Sequence, residues 1–180
     1  RKDLKDWSGL GLAIQAYGKR APVVVKLIDE LGANRKGMMM RLVKGAYWDQ
    51  EIKIHQIKGA ADLPVFTSKS FTDLNYLSTA KIISETKNLR PYFATHNAHT
   101  IAGIMQLYQG REDQFEFQRI FGMGDLTYRN AKKVYSDFPL TRVYAPVGSK
   151  KELLPYLVRR LLENGANSSF VNKYCPKIFQ

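Results

Sequence analysis

A lysine, a glycine and two aromatic residues follow one apolar segment in quick succession. Residues 37–48 read GMMMRLVKGAYW, and the mainly apolar run Met38–Val43 leads into Lys44, Gly45 and Ala46. The run suits a strand that is buried on both faces. The Lys-Gly-Ala that follows would let the backbone approach a ligand beside a fixed positive charge. Taken alone, the segment is equally compatible with an ordinary buried strand that ends in a surface lysine.

Two adjacent arginines, Arg159 and Arg160, lie in the amphipathic segment KELLPYLVRRLLENG. At about 100° per residue they share a helix face with Tyr156 and Glu163. The apolar residues of the opposite side are Leu153, Leu154, Leu157, Val158, Leu161 and Leu162. Paired guanidinium groups suit forked binding of a carboxylate or phosphate, whereas a solvated face with intrahelical ion pairs is the competing interpretation. Pro155 is expected within the first turn or so of this helix, because deeper in a helix its ring would clash.

Other motifs are weaker. His96 and His99 could place two ligands on one helical turn, but no carboxylate or cysteine cluster completes a metal site, and no metal is predicted. The pair Gly122 and Gly124 lacks the third glycine of a dinucleotide-binding loop. No G-x-S-x-G sequence is present and Cys175 lies in a polar tail, so serine-hydrolase and thiol chemistry have no support.

Composition narrows the class of protein. Of 180 residues, 44% are hydrophobic and 24% are charged, so the chain can form one sizeable core and is not a disordered chain. Lysine and arginine number 28 against 16 acidic residues, and the net charge of +12 implies an anionic partner. Because the basic residues are scattered and no nucleic-acid motif is present, nucleic acid is not predicted as the partner of this domain.

Cysteine count and hydropathy bear on location. The single cysteine excludes an internal disulfide. No apolar run approaches the ~20 residues that span a bilayer, and the opening RKDLKDW lacks the apolar centre of a secretory signal. We therefore expect a cytoplasmic protein. A start at Arg1 rather than methionine indicates a piece of something longer.

Strand-like and helix-like segments alternate along the chain. Strands are predicted at 11–16, 38–44, 64–67, 91–95, 115–121 and 141–145, and their starts are 24 to 27 residues apart. Helices are predicted after them, at 23–31, 51–58, 74–83, 100–108, 128–135 and 153–162. Strict alternation predicts a parallel α/β sheet with right-handed crossovers.

Both an open doubly wound sheet and a barrel would satisfy this alternation. The regular spacing favours a (βα)8 TIM-barrel architecture, but a complete barrel usually needs ~250 residues. We therefore predict a single domain over 1–180 that forms an incomplete barrel of about six βα units. Its two open sheet edges would be prone to self-association.

Polar, small and basic residues follow the predicted strands, at the edge where barrels of this class bind ligands. In chain order they are Gln15, the segment Lys44 to Tyr47, Thr67 to Lys69, Thr95 to Asn97, Gly122 to Gly124 and Tyr144 to Pro146. A purely structural piece of a barrel would have less reason to place such residues at one edge. We call this the carboxyl edge.

These segments, together and in order, resemble the proline dehydrogenase family, specifically the flavoenzyme domain of the bacterial bifunctional proline-utilisation A proteins. The likeness is carried by RLVKGAYWDQEIK, FATHNAHT, the EFQ…GMG stretch, YAPVGS and YLVRRLLENGANSSFVN. It covers essentially the whole chain. Any one of these segments alone would be unspecific, but the combination is specific.

The resemblance implies a (βα)8 barrel that binds FAD at the carboxyl edge, with the last helix over the barrel mouth. Arg41, near the reactive edge of the flavin, and Tyr47 are the implied catalytic residues. Arg159 and Arg160 would hold the proline carboxylate. The residues implied around the pyrrolidine ring are Tyr47, Tyr144 and Tyr156. The implied flavin contacts are Gln15, Arg41, Val43, Lys44, Gly45, Ala46, Trp48, Thr67, Lys69, Thr95, His96, Asn97, Glu163, Ser169 and Phe170.

The implied activity is the first step of proline catabolism: oxidation of L-proline to pyrroline-5-carboxylate, with hydride transfer to flavin N5 and electrons passed to a membrane quinone. Electron transfer to that quinone would bring the parent protein to the inner face of the membrane as a peripheral protein. The family also uses a lysine and an aspartate from its first two strands, and this chain begins after them. A catalytically inert fragment, and a basic module that binds nucleic acid or an anionic membrane, are the alternatives.

Overall fold

The computed structural model describes residues 6–35 and 37–165, with side chains described as far as residue 160. Strands and α-helices alternate except that two α-helices follow the second strand. The chain divides into two units, residues 1–143 and 144–180, each of which we describe by itself. The elements in order are β1 (Gly11–Gln15), α1 (Ala21–Gly32), β2 (Met38–Val43), α2 (Trp48–Ile57), α3 (Lys69–Ile83), β3 (Leu89–Ala94), α4 (Ala98–Leu107), a short 3-10 helix (Glu112–Gln114), β4 (Glu116–Ile120), α5 (Asp125–Val134), β5 (Thr141–Tyr144) and α6 (Lys150–Gly165).

The strands form one sheet in the order β1-β2-β3-β4-β5. The first four pair in parallel, and one register row runs through Ala13, Arg41, Tyr92 and Glu116. Sequential order and parallel pairing are what right-handed βα crossovers produce. The α/β prediction with a parallel sheet is confirmed, and the described sheet is consistent with an incomplete barrel.

The segment predicted as the third strand, residues 64–67, is not a strand of the sheet. Val65 forms a single antiparallel bridge with Gly18, and the Phe66 N–H donates to the Tyr17 carbonyl at 2.8 Å. The segment therefore pairs with the loop after β1, while β2 and β3 pair directly with each other. The described residues thus contain five strands rather than the predicted six.

The core lies between the sheet and the helices that pack on one of its faces. On β2, Met38, Met40 and Leu42 are buried, whereas the alternate side chains of the strand are only half-buried. Burial on both faces of this strand was therefore a wrong prediction. The alternate residues include Arg41 and face an open cavity instead of a second apolar layer. Further members of the core are Val25, Ile28, Tyr76, Ile83, Phe93, Ile101, Ile104, Phe115 and Phe117.

In the second unit, α6 begins earlier than predicted. The Ser149 N–H and hydroxyl both donate to Glu152 Oε2, at 3.0 and 2.8 Å, and the first of these bonds is the glutamate half of a capping box. Two hydrogen bonds from Ser149 lower the pKa of the Glu152 carboxyl, and the bond from the backbone N–H has a larger effect than the bond from the side chain. Because the helix starts at Lys150, Pro155 is its sixth residue and lies beyond the first turn, contrary to the prediction.

Candidate functional site

Two lysines of the carboxyl edge meet at one carboxylate. Lys44 Nζ, just after β2, forms an ion pair with Asp73 Oδ1, and Lys69 Nζ, at the start of α3, lies 2.8 Å from Asp73 Oδ2. Burial raises the pKa of Asp73, but the hydrogen bonds from Lys44 and Lys69 outweigh it, and the pKa lies below its ordinary value. The three groups carry a net charge of +1, which suits an anionic ligand.

Gly45 lies against the buried ring of Tyr17. Its φ is +126°, and a β-carbon built on it would stand 1.6 Å from Cδ1 of that ring. The Tyr17 N–H donates to the Lys44 carbonyl at 2.8 Å, which extends the β1–β2 ladder into the loop. The sequence indicated a glycine that admits a ligand to the backbone. The close neighbour in the structure is instead a side chain of the protein, and it fixes the loop that carries Lys44.

Hydrogen bonds hold the loop before α3 at the same edge. The indole Nε1 of Trp48 donates to the Phe66 carbonyl at 2.7 Å, and Asn75 Nδ2 on α3 donates to the Ala16 carbonyl at 2.8 Å. These bonds join residues 64–67 and α3 to the ends of β1 and β2. Thr67 and Lys69 thus lie in segments attached directly to the Lys44 loop. Trp48 is 39% exposed, so its ring remains accessible to a ligand.

After β3, three predicted flavin contacts organise the backbone. Asn97 caps α4, where its Oδ1 accepts from the Thr100 N–H at 3.0 Å, and Thr95 Oγ1 accepts from the Asn97 N–H at 3.1 Å. His96 Nε2 accepts from the Ile120 N–H at 3.2 Å, which joins the ends of β3 and β4. An acceptor Nε2 implies that this ring carries its proton on Nδ1.

The sheet face defined by Ala13, Arg41, Tyr92, Glu116 and Arg142, which we call the Arg41 face, lines an open cavity of about 440 Å³. Glu116 is 1% exposed, and Arg142 donates to both of its carboxylate oxygens, from Nε at 2.8 Å and from Nη2 at 3.0 Å. The forked geometry satisfies a buried charge. Gln15 and Val43, two predicted flavin contacts, are paired in register at the carboxyl ends of β1 and β2.

The predicted carboxylate-binding residues lie in the second unit. On α6 the guanidinium carbon of Arg160 is 5.6 Å from the centre of the Tyr156 ring, and Arg159 and Arg160 are both half-buried. Tyr144 is the last residue of β5. The Glu163 side chain, Ser169 and Phe170 lie outside the residues described. That these groups meet the carboxyl edge around one substrate stays a prediction.

Sequence reasoning did not single out several residues that organise this region. They are Tyr17, Asp73, Tyr76, Glu116 and Arg142. The Tyr76 hydroxyl donates to the carbonyls of Leu42 and Ala94, at 3.2 and 3.3 Å, and so joins the ends of β2 and β3. An acid four residues after Lys69 was readable as an i,i+4 partner, whereas the other contacts depend on the fold.

The described part of the chain contains no helix that is long and apolar enough to cross a membrane. Over the same residues, no three His, Cys, Asp or Glu side chains are grouped as metal ligands would be.

A protein-family model described as proline dehydrogenase matches residues 1–173. The chain belongs to the proline dehydrogenase family. Among curated proline dehydrogenase relatives, the bifunctional protein PutA of Escherichia coli (strain K12) is 51% identical over 181 residues. The match covers 95% of this chain and 14% of that protein. PutA of Rhizobium meliloti is 49% identical over 177 residues, with the same shares covered. The chain thus spans about a seventh of the length of these relatives.

Solved structures of proline dehydrogenase relatives share the fold. A mutant of Bradyrhizobium japonicum proline utilization A (PutA) is 52% identical with a TM-score of 0.87, over 96% of this chain and 18% of that one. PutA from Bdellovibrio bacteriovorus, inactivated by N-propargylglycine, is 35% identical with a TM-score of 0.86, over 98% of this chain and 19% of that one. The predicted fold class, an α/β domain of the TIM-barrel family, is therefore confirmed.

Proposed function

We propose that the protein containing this chain is a proline dehydrogenase that oxidises L-proline to pyrroline-5-carboxylate with FAD as its cofactor. The supporting observation is the family match over residues 1–173, together with a carboxyl edge whose Lys44 and Lys69 are adjacent to one carboxylate. Proline must lose two electrons and two protons, as a hydride from a ring carbon and a proton from the ring nitrogen, to become the cyclic imine. None of the side chains described here can accept a hydride, so the reaction needs an organic redox cofactor.

The described residues fit a flavin dinucleotide. Lys44 and Lys69 would supply ammonium groups for its diphosphate, and the half-exposed Trp48 ring would offer a flat apolar surface. Arg41 lies on β2, which pairs with β1 on one side and β3 on the other. A fixed cation at that position would stabilise the negative charge that reduction of the flavin brings. The further predicted contacts at the strand ends of the first unit are Gln15, Val43, Gly45, Ala46, Thr95, His96 and Asn97. Thr67 lies in the segment that pairs with the loop after β1.

FAD, when bound, supplies the two-electron acceptor at N5 for the hydride that leaves a ring carbon of proline. The protein's part is to hold the two reactants in contact and exclude water. Arg159 and Arg160 would bind the proline carboxylate as a pair, and Tyr47, Tyr144 and Tyr156 would surround the pyrrolidine ring. Because Tyr47 directly follows the Lys44 loop and is 44% exposed, it is available for that contact.

We also propose a quinone as the electron acceptor, which the parent protein would meet as a peripheral protein at a membrane surface. Reduction of a soluble quinone analogue on addition of proline measures this step separately from flavin reduction. Failure of that transfer with normal flavin reduction would refute the quinone proposal and leave proline oxidation intact.

The test of the principal proposal is spectroscopic. The full-length polypeptide should bind FAD and become yellow, and L-proline should bleach the flavin band in the absence of oxygen. Pyrrolidine, which has the ring without the carboxylate, is the matched control and should bleach it far more slowly. N-propargylglycine, which inactivates the Bdellovibrio relative, is like proline a secondary amine with a carboxylate and should inactivate this protein irreversibly. A colourless protein to which FAD does not bind would refute the proposal.

A further inference from the structure

Asp73 occupies an unusual position between the two lysines. Each of its carboxylate oxygens takes a different ammonium group: Oδ1 accepts from Lys44 and Oδ2 from Lys69. Lys44 and Asp73 are 29 residues apart, so this contact exists only because the β2 loop and α3 are brought together by the fold. The carboxylate therefore holds side chains from two separate elements at one place.

A second lysine–acid pair lies where α3 ends, with Lys81 in its last turn and Glu85 just beyond the helix, and it shows what an ordinary surface pair looks like. Lys81 and Glu85 have the same i,i+4 spacing, with side chains 59% and 62% exposed. The Lys44 side chain is only 18% exposed and that of Asp73 39%. Exposed pairs contribute little to stability. The Asp73 cluster is better shielded than this pair, although its Lys69 side chain is 42% exposed, and it lies at the carboxyl edge, where barrels of this class bind ligands.

We propose that Asp73 is a positioning residue for flavin binding, which fixes Lys44 and Lys69 side by side for the diphosphate of FAD. The inference rests on the proposed function. An ammonium group has three N–H donors, so each lysine that donates one to Asp73 keeps others for phosphate oxygens. The carboxylate also offsets the repulsion between two adjacent cations, and so allows both to stay in place before the ligand arrives.

A positioning role and the net charge of the site predict opposite effects of Asp73→Asn on FAD binding. If only charge mattered, Asp73→Asn would tighten FAD binding, because it makes the site more positive. If position matters, the same change weakens FAD binding, since an amide has one acceptor oxygen and its nitrogen repels the second lysine. Riboflavin has the same ring system without phosphate, so its affinity should not depend on Asp73.

The experiment measures the Kd of FAD and of riboflavin for the full-length polypeptide by quenching of flavin fluorescence. Asp73→Asn should weaken FAD binding about tenfold and leave riboflavin binding unchanged. Glu85→Gln, which breaks the control pair at the end of α3, should change neither. Asp73→Glu keeps the charge and should lose less affinity for FAD than the asparagine variant. In a Lys69→Gln background the effect of Asp73→Asn should shrink, because one of the lysines it positions is gone.

The outcomes separate the two proposals. Unchanged or tighter FAD binding by Asp73→Asn would overturn this inference alone, as would an equal loss for riboflavin. An undiminished effect in the Lys69→Gln background would also overturn it, because that outcome indicates a general structural role. A wild-type protein that binds neither flavin would overturn both the inference and the proposed function. If Asp73→Asn fails to fold, the comparison of Asp73→Glu with Glu85→Gln decides the question on the same FAD-to-riboflavin ratio.

Discussion

Gly45 approaches the ring of Tyr17 so closely that any β-carbon at position 45 would overlap it, 1.6 Å from Cδ1. The glycine also has a φ of +126°, which side-chain-bearing residues rarely adopt. Since Lys44 is its neighbour in the chain, this contact fixes where the lysine leaves the sheet. Position 45 thus requires glycine both for its backbone conformation and for its packing against Tyr17. This position is next to Lys44, the proposed flavin-binding lysine.

Gly45→Ala should destabilise the protein by about 2–4 kcal/mol, because it adds backbone strain to overpacking against Tyr17. Gly59→Ala is the control: its φ is +62°, but nothing lies within 4 Å of the added β-carbon. It should cost only the strain, about 1 kcal/mol. Urea unfolding of both variants checks the difference. Equal losses would mean that the contact with Tyr17 contributes nothing.

Tyr76→Phe should destabilise the protein by about 1–2 kcal/mol, because two buried carbonyls, of Leu42 and Ala94, lose their shared donor. Burial raises the pKa of this hydroxyl well above its usual value, so it stays a donor at all ordinary pH. Tyr108→Phe is the matched control, since its buried hydroxyl has no hydrogen-bond partner among the described residues. That change should be neutral or stabilising in the same unfolding experiment.

Local sequence patterns predicted those strands and helices whose conformation does not depend on distant contacts. The strand-like segments predicted to begin at residues 11, 38 and 141 are strands that begin at those positions, and on β2 the side chains alternate between buried and half-buried. Residues 64–67 failed for a physical reason. Their composition suits a strand, but β2 and β3 pair directly and leave no place for another strand between them. The spacing of strand starts could not show this, because it says nothing about pairing.

In the candidate site, too, some residues could be predicted from the sequence, whereas their contacts depend on the fold. Resemblance identified Lys44 and Lys69, and Asp73 was readable as an acid four residues after Lys69. That the same carboxylate also takes Lys44 depends on how the β2 loop meets α3, which no local pattern contains. Glu116 and Arg142 are 26 residues apart on separate strands, and only strand register makes them partners.

The lowered pKa of Asp73 gives a pH dependence with a definite sign. A carboxylate whose folded pKa lies below its unfolded value of about 3.9 stabilises the fold above that pH, and the contribution is lost as pH falls through the folded pKa. The stability difference between wild type and Asp73→Asn should therefore be constant from about pH 5 to 7 and shrink below about pH 4. Urea unfolding of both proteins across this range tests it. A difference that grows on acidification would contradict the assignment.

Glu116→Gln should destabilise the protein by about 1–3 kcal/mol, because a buried carboxylate loses its forked pairing with Arg142. Arg142→Gln should also destabilise the protein, since it leaves the Glu116 charge buried without its guanidinium. The double variant should be less destabilised than the sum of the two single changes. A double-mutant cycle in urea measures this coupling. Strict additivity would show that the two residues, although 2.8 Å apart, do not stabilise each other.

Arg159→Met and Arg160→Met should each weaken proline binding far more than flavin binding. The reason is chemical: a planar fork of donors matches a carboxylate, and methionine keeps most of the side-chain bulk while it removes the charge and the donors. We expect the KM for proline to rise about tenfold or more, with the FAD content unchanged. Arg129→Met, at an exposed position on α5, is the control and should change neither quantity. Steady-state kinetics together with the flavin-to-protein absorbance ratio make the comparison. Equal losses of proline affinity and FAD content would remove α6 from the substrate site, because they would show that the arginines support the fold of the cofactor region instead of the proline carboxylate.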